Sequence, residues 1–104
     1  MSNYLLAYRG GGMAETEEAR QETMAAWGAW FGQLGGAIVD AGNPFASSST
    51  VSSDGSVGQG NGSALTGYSV IQADDLGAAT QLAKGCPVLA SGGSVDVYET
   101  MPVM

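Results

Sequence analysis

The segment from Ala25 to Gly42, AAWGAWFGQLGGAIVDAG, restricts the fold more than any other part of this chain. It reads as the end of an amphipathic helix, a glycine stop and a short strand that closes on a carboxylate, Asp40. A helix followed so closely by a strand is one half of a layered α/β or α+β unit. The same segment supplies a large aromatic surface in Trp27, Trp30 and Phe31.

The units on either side complete the pattern. Tyr4 to Tyr8 is a short aromatic and aliphatic run ended by Gly10, Gly11 and Gly12, which reads as a buried strand. Glu15, Glu17 and Glu18 place negative charge where the positive pole of a helix would sit. From there Met24, Trp27, Phe31 and Leu34 recur at spacings of three and four, with Trp30 widening the stripe, until Gly35 and Gly36 stop the helix. Gly28, Gly32 and Gly35 line one flank of that stripe. An interior helical glycine costs about 1 kcal/mol relative to alanine. Close approach of another backbone would account for them, as would the floor of a site for a ligand or a partner subunit.

Ala37 to Ala41 reads as the second strand, broken by Asn43-Pro44. The Ser- and Gly-rich stretch from Ala46 to Gly62, with Asp54-Gly55 as its turn, reads as a partly mobile hairpin or edge strand. Leu65 to Gln72 is a further core strand in which Gly67 marks a bulge. Asp74 or Asp75 caps a second helix whose inward face is Leu76, Ala79, Leu82 and Ala83, and which Lys84, Gly85 and Pro87 close. Val95 to Glu99 is the last strand. The order β-α-β, hairpin, β-α-β is that of a ferredoxin-like α+β sandwich, with two helices on one face of an antiparallel sheet. Tyr4, Leu6 and Tyr8 alternate with Leu5 and Ala7, so both faces of the first strand are apolar while helices exist for only one. This predicts a homodimer formed through the open face.

A chain of 104 residues makes one domain, residues 1–104. Ten acids against Arg9, Arg20 and Lys84 give a net charge of −7. Three scattered cations cannot neutralise a phosphate backbone or hold an anionic membrane, which argues against both partners. The N-terminus lacks the charge and apolar run of a signal peptide and no stretch is long enough to span a bilayer, so the default location is the cytoplasm. Cys86 is the only cysteine and there is no histidine. An internal disulfide and a thiolate metal site are thereby excluded, no cofactor is implied, and Cys86 reads as a small buried apolar side chain. The glycines after the first strand lack both G-x-G-x-x-G and a terminal Lys-Ser/Thr, which excludes a phosphate loop.

Several stretches match a known pattern: the opening YLLAYRG, the G-x-I-V-D-x-G strand, Gly67-Tyr68 leading to Ala73-Asp74-Asp75-Leu76, then Cys86-Pro87, and Gly92-Gly93 before the final strand. In order and spacing the chain resembles the YCII-related family, also called the DGPF-domain proteins. The resemblance implies a ferredoxin-like fold that pairs into a dimeric α/β barrel, with a small-molecule cleft beside the sheet. It also implies an acid–base pair made by a histidine on the first helix and an aspartate on the second strand. The aspartate maps onto Asp40. The histidine would fall at or near Trp27, and the D-G-P-F loop is replaced by Gln59 to Ser63.

Two readings of function follow. In one, the chain is a homodimeric module that binds a small molecule or a protein partner without the family's histidine. In the other, it is a small-molecule enzyme in which Asp40, desolvated at the end of a buried strand, is the general acid or base. Tyr8, Arg20, Trp27 and Tyr68 are the candidate ligand contacts. Arg20 reads first as a salt-bridge partner of Asp40 or another acid, and Trp27, Trp30 and Phe31 read first as core.

Overall fold

A computed structural model describes residues 2–10, 16–59 and 65–102. Gly11, Gly12, Glu15 and the loop Gly60 to Ser63, all given a place in the sequence reading, lie outside the described residues.

Strand β1 (Ser2–Arg9) leads to helix α1 (Glu17–Leu34), a 3-10 turn over Gly35–Ala37, and strand β2 (Ile38–Asp40). A hairpin of β3 (Ser49–Val51) and β4 (Val57–Gln59) follows. Strand β5 (Leu65–Ala73), helix α2 (Leu76–Ala83), a second 3-10 turn over Pro87–Ser91 and strand β6 (Ser94–Glu99) complete the order. The main sheet runs β2-β5-β1-β6, and every neighbouring pair in it is antiparallel. Two helices packed on an antiparallel sheet make the chain α+β, consistent with a ferredoxin-like fold.

Local chemistry sets the element ends. The Thr16 hydroxyl accepts from the Ala19 N–H at 3.0 Å and opens α1. Gly35 closes α1 at φ +53°, where a side chain would be strained. Asp75, not Asp74, caps α2 by accepting from the Ala78 N–H at 2.7 Å. Asp54 accepts from the Ser56 N–H at 2.9 Å, and Gly55 at φ +88° turns the hairpin as expected. That hairpin forms a two-stranded sheet of its own and is not an edge strand of the main one. At β5, the register with β1 shifts between Tyr8 and Arg9, which skips Thr66 and puts the irregularity beside Gly67.

The core lies between the helices and one face of the sheet. Tyr4, Leu6 and Tyr8 from β1 meet Ile71 and Ala73 from β5, Trp30 and Leu34 from α1, Ala79 and Ala83 from α2, and Cys86 and Val88 beyond it. The Trp30 indole N–H donates to the Leu82 carbonyl at 3.1 Å, which ties the two helices. Two expected core residues are not core. Met24 is 73% exposed and Leu76, the first residue of α2, is 47% exposed.

The least dimension of the chain is 18 Å, the depth of one sheet and one helix layer. The opposite sheet face carries Leu5, Val70 and Tyr98, aligned across three strands, with Ala7 between Tyr68 and Asp96. Arg9 pairs with Asp96 on this same face. No helix among the described residues is long and apolar enough to cross a membrane.

Candidate functional site

A cleft of about 680 Å³ opens between α1, the ends of β1 and β5, and the loop that follows β2. Helix α1 contributes Thr23, Met24, Trp27, Gly28 and Phe31, and the sheet contributes Tyr8, Thr66 and Ser69. The loop Ala41 to Pro44 forms the opposite wall, and Tyr68, Val88 and Ser91 border it. Its volume falls within the usual range for small-molecule sites, roughly 300–1,000 Å³.

The aromatic wall is built on ring-edge contacts. Tyr8 and Trp27 meet edge to face at 5.1 Å, and Trp27 lies 5.8 Å from Phe31 and 5.7 Å from Trp30. Trp30 is core, whereas Trp27 and Phe31 are half-buried and face the cleft.

The loop after β2 is held by two devices. The Ser69 hydroxyl donates to the Ala41 carbonyl at 2.6 Å and accepts from the Tyr8 hydroxyl at 2.6 Å. Gly42, at φ +76°, passes so close to β5 that an added Cβ would lie 1.7 Å from the Tyr68 carbonyl oxygen. Only glycine permits that approach. Burial pushes the Tyr8 phenol up to about 12, against the opposing effect of its bond to Ser69. Burial likewise raises the Cys86 thiol to about 11, which keeps it an inert packing group.

Of the five candidate residues, Tyr8, Trp27 and Tyr68 border the cleft; Asp40 and Arg20 do not. Asp40 pairs in register with Val70, on the sheet face away from the helices. It is exposed, not desolvated as its apolar flanks suggested, because β2 is short and stands at the sheet edge. Its carboxylate accepts from the Gly42 N–H at 2.9 Å and from the Tyr68 hydroxyl at 3.3 Å. Tyr68 therefore directs its phenol at Asp40 and stacks on Phe45 at 5.9 Å. Arg20 is exposed on α1, and no ion pair joins it to Asp40. Nor does Trp27 meet Asp40: the partners of the one are Tyr8, Trp30 and Phe31, those of the other Gly42 and Tyr68.

The glycine flank of α1 also reads differently in three dimensions. Nothing lies within 4 Å of a Cβ built on Gly28, Gly32 or Gly35, so no described backbone approaches them. Gly28 instead leaves room at the cleft wall. Sequence reasoning missed Ser69, Thr66 and the Ala41 to Pro44 loop. The available signal was Ser69 itself, a hydroxyl on the inward side of a strand whose neighbour on that side is Ile71.

This architecture agrees with the comparison of the whole chain against known families. The model of the YCII-related domain matches residues 1–104. The chain belongs to the YCII-related family. No curated protein matches it. Trp27, at or near which the resemblance implies a histidine, is a wall of the cleft.

Proposed function

We propose that this YCII-related protein is a homodimeric module that binds a small molecule in the cleft between α1 and the sheet, without acid–base catalysis. The observation that carries the reading is that the Asp40 carboxylate does not line the cleft. The aromatic wall of Tyr8, Trp27 and Phe31 faces the cleft, while the Asp40 carboxylate is engaged behind it by the Gly42 N–H and the Tyr68 hydroxyl. Among the described residues of the cleft wall the ionisable groups are tyrosines, and burial raises the phenol of Tyr8 to about 12.

The dimer rests on the uncovered sheet face. Leu5 and Val70 are half-buried there without a helix over them, beside Tyr98 at 52% exposure. A second copy related by a two-fold axis would cover that surface with its own equivalent.

The test is a thermal-shift screen of small molecules on the wild type, Gly28→Phe and Asp40→Asn. Hits should stabilise the wild type and Asp40→Asn alike and be lost in Gly28→Phe, whose ring has open space into the cleft. Hits lost in Asp40→Asn and kept in Gly28→Phe would place the ligand elsewhere and end the reading. Light scattering checks the pairing: a monomer at micromolar concentration refutes the dimer.

A further inference from the structure

Of the described hydrogen-bond donors around the cleft, the hydroxyls of Tyr8, Ser69, Thr23, Thr66 and Tyr68 have fixed destinations, while the Ser91 hydroxyl and the Asn43 amide at its border do not. A carbonyl oxygen can only accept, so the Ser69 hydroxyl must donate to Ala41. Ser69 then receives the Tyr8 proton. Thr23 donates to the Ala19 carbonyl at 2.9 Å, and Thr66 to the carbonyls of Tyr8 at 3.3 Å and Gly10 at 3.2 Å. Four hydroxyls of the wall thus keep acceptor lone pairs and have no proton to offer a guest.

Charge narrows the guest further. None of the described lining residues is Asp, Glu, Lys or Arg. An anion would enter a chain of net charge −7 with no cation to meet it. A cation would lose water with no carboxylate in the wall to replace it. The apolar surface includes the rings of Trp27, Phe31 and Tyr8, with Met24, Pro44 and Val88 beside them.

We propose that the cleft selects an uncharged aromatic molecule bearing a hydroxyl or N–H donor, and that the Tyr8 hydroxyl oxygen accepts that donor. The proposal rests on the binding reading above and adds its chemical rule.

Calorimetric titration with four probes tests it: 2-naphthol, 2-methoxynaphthalene, 2-naphthoate and 1-naphthylmethylammonium. On the wild type, 2-naphthol should bind about tenfold tighter than its methyl ether, the worth of one ordinary hydrogen bond, and tighter than either ion. In Tyr8→Phe that gap should shrink to within about threefold. Ser69→Ala, which frees the Tyr8 proton to donate, should strengthen the methyl ether relative to 2-naphthol. Equal wild-type affinity for 2-naphthol and its ether, or a tighter ion, overturns the donor rule. A gap unchanged in both variants overturns the role of Tyr8. If the ether binds as well as 2-naphthol and both are lost in Gly28→Phe, the rule fails while the cleft reading stands. If no probe binds the wild type, both fail.

Discussion

The two interior glycines of α1 permit a quantitative check on the description of its exposed flank. Gly28 and Gly32 lie within an 18-residue helix, and a Cβ at either position meets nothing within 4 Å. Alanine there gains helix propensity of about 1 kcal/mol per site, with no packing cost to set against it. The sites are neighbours one turn apart, but two methyl groups interact weakly with each other, so Gly28→Ala/Gly32→Ala should be stabilised by about 2 kcal/mol. For a domain of this size each kcal/mol raises the melting temperature by roughly 4–8 °C. Differential scanning calorimetry or circular dichroism melts of the wild type, both single variants and the double variant measure this. Protein concentration must be held fixed, because association alone shifts the midpoint. If either single variant melts below the wild type, a backbone or a second subunit presses on that flank, and the reasoning from open space is refuted. If Gly32→Ala stabilises and Gly28→Ala does not, the contradiction lies at the cleft wall alone.

Three further outcomes are expected. Gly42→Ala should destabilise by at least about 2 kcal/mol, because it adds a clash with the Tyr68 carbonyl to a left-handed backbone position; a chemical melt equal to wild type would contradict this. Asp75→Ala should cost about 1 kcal/mol through loss of the α2 cap, read as a fall in urea midpoint at unchanged m-value. The Tyr8 phenol is raised from 10.0 to about 12 in the folded chain. Between those values the unfolded chain holds fewer protons, so stability present below pH 10 should fall as pH climbs toward 12. Cys86, raised from 9.0 to about 11, adds a loss of the same sign from pH 9 upward. Melting temperatures across pH 8–11.5 should therefore fall less steeply in Tyr8→Phe than in wild type, and parallel curves would count against the buried phenol.

Architecture was more legible in this sequence than the site. The period of the α1 stripe, its glycine stop and the alternation of Tyr4, Leu6 and Tyr8 are local signals, and they become α1 and the inward face of β1. Met24 and Leu76 were misread because periodicity reports which way a side chain points, not whether another element packs over it. Asp40 was misread for a related reason. Apolar neighbours along a strand suggest burial, but whether the strand is central or at the edge is decided by pairing with β5, far away in the chain. The hydroxyl network was invisible because its members, Tyr8, Ser69 and Ala41, meet only once the sheet has formed.

Among the described residues the β3–β4 hairpin joins no other strand, and its Val51 and Val57 side chains are about two-thirds exposed to water. Its tip at Asp54-Gly55 is consequently a natural splice point. A fluorescent tag, an affinity handle or a whole foreign domain inserted there would leave the four-stranded sheet and the wall of the cleft in place.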